Sequence, residues 1–109
     1  MNQVHKNLAA GRWNNFSLAE QLANVGSEVG RAINWRGKNR EFSELAAERA
    51  LELTELTISD PKNRRKLKEL VRMRESLADY FFGSNEYSSS DQLWQSYFFA
   101  FSWVARKDK

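Results

Sequence analysis

Ser17-Leu18-Ala19-Glu20-Gln21-Leu22-Ala23-Asn24-Val25-Gly26-Ser27-Glu28-Val29-Gly30-Arg31-Ala32-Ile33 is the stretch whose reading decides the fold. Ser17 and Glu20 stand at capping-box spacing, where the serine oxygen and the glutamate each cover a free backbone N–H at a helix start. Leu18, Leu22, Val25, Val29 and Ile33 then recur at steps of three and four, which makes one apolar stripe on a helix. Beside it run Ala19, Ala23, Gly26 and Gly30. A glycine inside a helix costs about 1 kcal/mol relative to alanine. Two on one strip therefore predict a neighbouring helix at very close range. Glu20, Asn24, Ser27, Glu28 and Arg31 fall on the opposite, wet face.

Working outward, Arg36-Gly37-Lys38-Asn39 is a turn, and the second helix covers 40–58 with Phe42, Leu45, Ala46, Leu53 and Leu56 toward the core. Asp60-Pro61 pairs a capping aspartate with a proline at the first helical position, where its missing N–H does no harm. The third helix runs over 61–82 on the stripe Leu67, Leu70, Val71, Leu77, Ala78 and Phe81, and Gly83 stops it. After a loop, Ser89-Ser90-Asp91-Gln92 repeats the capping-box spacing and opens a fourth helix over 90–106. In the other direction, residues 1–16 form an arm. Val4 and Leu8 give it one or two helical turns ended by Gly11, and Trp13 and Phe16 pin it to the helices. The expectation is all-α: one helical domain over 1–109, a four-helix bundle (17–35, 40–58, 61–82, 90–106) with a short N-terminal helical arm.

The 109 residues suit one domain with a modest core. A hydrophobic content of 41% with 13% aromatics excludes the disordered class. Cysteine is absent, which removes disulfide frameworks and thiolate zinc sites and suits a reducing compartment. The start, Met1 to Asn7, lacks the apolar stretch of a secretory signal. The longest apolar-rich run, Tyr97 to Ala105, is about half of what a membrane span needs. A cytoplasmic protein with no membrane association is expected. The net charge of +3 is too mild to name a partner.

Two arginines stand where leucines belong. Arg49 lies between Phe42, Leu53 and Leu56 on the second helix's stripe, and Arg74 between Leu67, Leu70, Ala78 and Phe81 on the third. Consecutive helices pack antiparallel, which brings the two to similar depth. A buried guanidinium requires a carboxylate or an anion. Both arginines are thus expected to be buried in a shared network with Glu52, Glu75 or a bound anion. The network is either structural or a pocket for a phosphate or carboxylate.

The fourth helix is apolar nearly all round. Leu93, Tyr97, Ala100, Phe101 and Val104 form its core stripe, Trp94, Phe98 and Ala105 widen it, and Phe99 and Trp103 take the remaining side. Such a helix is covered on nearly all sides. Either it is central in the bundle, or it carries a subunit interface of Trp94, Phe98, Phe99 and Trp103 in a homo-oligomer, aromatics being typical of interface cores. Ala47, Leu51 and Ile58, a minor second stripe on the second helix, support the interface.

The basic run Lys62, Arg64, Arg65, Lys66, Lys68 and Arg72 offers a phosphate-binding face. No aromatic interleaves with it, and the neighbouring Glu41, Glu44, Glu48 and Glu55 form an acidic face, so nucleic acid is not the expected partner. Glu41, Glu44, Glu48, Glu75 and Asp79 resemble the paired acidic helices of MazG-type nucleotide pyrophosphohydrolases, which hold magnesium against a nucleotide's phosphates. Ser76 stands where that pattern has a carboxylate, and Glu44 and Glu48 point away from their helix's core stripe. The only histidine, His5, is in the arm, so the Arg–His motif of HEPN ribonucleases is absent, as are a Gly-rich phosphate loop and a Ser/His/Asp set. No catalytic residue, metal ligand or cofactor is assigned.

Ser17 to Trp35, Arg49-Ala50-Leu51-Glu52-Leu53 with Asp60-Pro61, and Asp79-Tyr80-Phe81-Phe82-Gly83 together resemble a group of small uncharacterised prokaryotic all-helical proteins, some of them carried on mobile integron gene cassettes. The resemblance covers most of the chain and implies a bacterial-type cytoplasmic origin. The group has no assigned activity. The functional expectation is a non-enzymatic, self-associating helical module that binds a partner or a small anionic ligand. A divergent magnesium-dependent pyrophosphohydrolase is the alternative, and nucleic-acid binding through the third helix comes third.

Overall fold

The computed structural model of the protein describes residues 11–107. Four long helices carry the fold: α1 (Leu18–Trp35), α2 (Arg40–Ser59), α3 (Leu67–Phe82) and α4 (Asp91–Lys107), with a 3-10 segment Pro61–Lys66 leading into α3. No strand occurs among the described residues. The chain is an all-α bundle, and its helix ends follow local chemistry. Ser17 and Glu20 complete the capping box reciprocally, at 3.1 and 2.9 Å. The Asn39 side chain accepts from the backbone of Phe42, that of Asp60 from Lys62 and that of Ser90 from Leu93. The fourth cap is thus Ser90, one residue later than the capping-box reading. The third helix is divided: proline begins a 3-10 turn that becomes regular α-helix only at Leu67.

α1 is the hub. Its backbone runs close to α2 on one flank and α4 on another, and α3 lies against α2. One apolar core joins Leu22, Val25 and Val29 of α1 with Ala50 of α2, Leu70, Met73 and Leu77 of α3, Trp94 and Phe98 of α4, and Trp13. Trp13 lies in that core and donates from Nε1 to Thr57, which ties the residues before α1 to the body, and Phe16 packs edge-on against it, 5.7 Å between centroids. Gly11 does not end a helix there, because residues 11–13 are themselves helical. Val4 and Leu8 lie outside the described residues.

Three helices turn a different face to the core from the one expected. α2 buries Ser43, Ala46, Ala47, Ala50, Thr54 and Thr57 and leaves Phe42 and Leu45 exposed. The side chains that let α1 and α2 approach closely are small, and their hydroxyls are covered locally. Ser43 Oγ donates to the Ala32 carbonyl at 2.6 Å, Thr54 to Ala50 and Thr57 to Leu53. Satisfied in this way, they can be buried at little cost. The minor stripe Ala47, Leu51 and Ile58 belongs to this core and not to an outer surface. On α3, Leu67 and Val71 are exposed and Met73 takes their place. On α4, Trp94 and Phe98 are buried with Phe101 beside them, while Leu93, Tyr97, Ala100 and Val104 are exposed. The fourth helix is therefore not central.

Candidate functional site

Glu28 organises the most built part of the surface. It was expected on the wet face of α1, yet only 9% of its side chain is exposed. It accepts from Arg31, one turn along α1, and lies 3.5 Å from Arg49 Nε of α2. Two guanidiniums on one carboxylate satisfy a buried charge that would otherwise be costly. They also hold both arginines at the α1–α2 seam. Arg49 is consequently not buried: 67% of its side chain is exposed. A mid-core Arg49 requires Phe42, Leu53 and Leu56 to be the inner stripe of α2, and they are not: Phe42 is exposed and the leucines only half-buried. Rotation of α2 about its axis carries Arg49 to the rim.

Arg74 is also at the surface, 41% exposed, and donates through Nε and Nη2 to Glu55 Oε1 at 3.1 and 2.6 Å. The two arginines serve different acids, Glu28 and Glu55, and among the described residues no network joins them. Glu52 and Glu75 are both exposed and form no ion pair among the described residues.

A groove of about 680 Å3 opens beside the Glu28 bridge. Trp13, Phe16, Leu53 and Leu56 form its apolar wall, and Arg12, Arg31 and Arg49 bring charge. Trp13 and Glu28 are buried and the leucines half-buried, while Phe16 and the three arginines are exposed, and Asn24 and Ser27 add polar lining. A smaller apolar recess with Trp35, Phe42 and Leu45 lies on the other side of the same bridge.

The acidic candidates do not gather. Glu44 pairs with Arg40 and Glu48 is exposed. Asp79 accepts from the backbone of Glu86 and Tyr87, at 3.0 and 3.1 Å, and orders the loop before α4. Among the described residues no three acidic or histidine side chains are arranged to hold a metal ion.

On α4 the four interface candidates divide. Trp94 and Phe98 stack on each other inside the core, whereas Phe99 and Trp103 are 65% and 55% exposed. At 100° per residue, exposed Ala100, Leu93, Val104 and Tyr97 form a continuous apolar sector of roughly 60°, and Trp103 and Phe99 stand apart from it, separated by the exposed polar Gln92 and Ser96. No charged side chain interrupts α4 between Asp91 and Arg106.

Sequence reasoning missed a buried polar cluster. Gln21 donates to the Trp13 carbonyl and to Asp60, at 3.0 and 2.8 Å. Asn63 donates to Gln21 and to the Thr57 carbonyl, and Trp13 Nε1 donates to Thr57. Lys62 bridges Asp60 and the Asn14 carbonyl. Each named group has a partner, so the cluster fastens the α2–α3 corner to α1 and to the residues before it. A second cluster joins Arg36, Tyr80 and Asp91, with the guanidinium 5.0 Å from the Tyr80 ring centroid. Burial, then the hydrogen bond to Asp91, pushes the Tyr80 hydroxyl above its ordinary pKa. No helix is long and apolar enough to cross a membrane among the described residues. None of the family models, curated proteins or solved structures compared with the chain matches it.

Proposed function

We propose that the protein is a non-enzymatic helical module that self-associates through α4. The observation that carries this reading is a seam of Leu93, Tyr97, Ala100 and Val104, exposed and spaced 4-3-4 along the helix. That is the a/d spacing with which one helix packs along another. Trp103 and Phe99, 55% and 65% exposed, add two large apolar side chains beyond the seam.

A second copy fits the face by charge. With no ionisable group but Tyr97 between Asp91 and Arg106, α4 itself neither repels its own copy nor selects an oppositely charged stranger, and the charges that border the seam from α3, Glu69 and Arg72, are of opposite sign. An antiparallel, two-fold pairing would oppose the helix dipoles favourably.

Sedimentation equilibrium at micromolar concentration tests the reading. A dimer is expected, and Leu93→Glu or Val104→Glu should yield a folded monomer with unchanged helical circular dichroism. Both positions are exposed, so the substitutions do not touch the core. A wild-type chain that stays monomeric at about 100 μM, where even a weak specific pair of Kd ~10 μM forms, would refute it.

A further inference from the structure

We propose that the groove between α1 and α2 binds a small amphiphilic acid, an apolar or aryl body carrying one carboxylate. The volume of about 680 Å3 falls within the range of about 300–1,000 Å3 that small-molecule sites occupy. Trp13, Leu53 and Leu56, buried or half-buried, give it an apolar wall against which a naphthyl ring or an eight-carbon chain can lie. Its mouth is cationic. Three arginines and a single carboxylate, Glu28, line it, and Arg31 and Arg49 already share that carboxylate. Arg12 has no carboxylate partner among the described residues.

Glu28 sets the geometry. A guanidinium has five N–H donors in a fixed fork, and one carboxylate between two arginines leaves donors on each unspent. Holding Arg31 and Arg49 from beneath removes rotamer freedom before the ligand arrives, so less is lost on binding. The ligand's carboxylate then takes the free edges of Arg31 and Arg49 together with Arg12. Its apolar body lies against Trp13 and between Leu53 and Leu56. An anion without such a body forgoes the apolar wall, and an uncharged body leaves the guanidiniums with water alone. Both halves of the ligand are required.

The site is independent of the α4 seam, and the experiment keeps the two apart. Two-dimensional 1H–15N NMR titrations use 2-naphthoate and octanoate, with octanol and inorganic phosphate as the half-ligands. Trp13 Nε1–H, which donates to Thr57 at the groove wall, is the reporter. The expected result is saturable shifts at Trp13, Arg12 and Leu53 with Kd below about 1 mM. Octanol and phosphate should each bind roughly ten-fold more weakly or not at all. Arg12→Gln and Arg49→Gln, both at exposed side chains, should each weaken naphthoate roughly ten-fold with the fold intact. Leu93→Glu should leave the titration unchanged whether or not the wild-type chain dimerises. The proposal is overturned by no saturable shift, by octanol binding as tightly as octanoate, by indifference to both arginine variants, or by shifts confined to α4.

Discussion

Asp60 is at once a helix cap, the acceptor for Gln21 and the counterion of Lys62, in a site almost without solvent. Burial alone would raise its pKa. The hydrogen bonds from the Lys62 and Gln21 side chains and the Lys62 backbone outweigh that, and the carboxyl is held below its ordinary value. A carboxylate depressed in the folded state contributes stability that is fully present above the unfolded pKa, about 3.9, and is lost as pH falls through the folded value. The wild-type chain should therefore lose stability on acidification below about pH 4, and Asp60→Asn should flatten that loss in urea titrations across pH 2–6. At neutral pH the same variant should cost about 2–4 kcal/mol, because Lys62 loses its counterion and the amide nitrogen that replaces Oδ2 cannot accept from Gln21, while Oδ1 still caps the helix. An acid limb of equal depth in wild type and variant would show that other carboxylates govern it. Gln21 and Asn63 hold this aspartate in place, yet in the sequence they look like surface amides. Nothing in the spacing of one glutamine on an apolar helix says that its partners lie about 40 residues on.

Between elements, the α1–α4 contact turns on a missing methyl group. A Cβ added at Gly26 would lie 2.5 Å from Phe98 Cβ and 2.9 Å from Cγ, whereas one at Gly30 meets nothing within 4 Å. The two glycines looked alike in the sequence, and only one marks the close approach. Gly26→Ala should destabilise by about 1–3 kcal/mol as α4 is pushed off α1, while Gly30→Ala should stabilise by up to about 1 kcal/mol from helix propensity alone. Chemical denaturation of both reads the difference, and a gain at Gly26 would mean that α4 does not pack there. The starts at Ser17 and Asp60-Pro61 were legible because those side chains act on backbone groups a few residues away, whereas Asn39 was read as part of a turn and the fourth cap as Ser89 instead of Ser90. Which face each helix buries was legible for α1, whose large aliphatic residues are its inner ones. It was not legible for α2, whose seam of Ser43, Ala47, Ala50, Thr54 and Thr57 is chosen by proximity to α1, so that size and hydrophobicity point to the wrong stripe. The misplacement of Arg49 follows from that one rotation. The groove it lines could not be seen either, since its key residue, Glu28, reads as a solvated charge.

For the molecule as a whole, the arrangement of helices sets a gradient of stability. α1 is enclosed by α2 and α4, with the core at its back, whereas α4 is held along one flank, chiefly through Trp94 and Phe98. Local opening follows the amount of apolar contact, so in a lone chain α4 should open more readily than α1 or α2. Pairing of two chains through Leu93, Tyr97, Ala100 and Val104 would cover the other flank. Whatever binds only the closed form adds stability by mass action. Hydrogen exchange should then show protection along α4 that rises with protein concentration, while protection along α1 and α2 stays nearly constant. In Leu93→Glu the concentration dependence should vanish, with α4 held at its low, monomer-like protection. The apolar seam would thus be both the means of assembly and the reason the fourth helix is completed only in the assembly. Exchange along α4 as slow as along α1 in the monomeric variant would refute the gradient, because it would mean that one flank suffices to hold the helix.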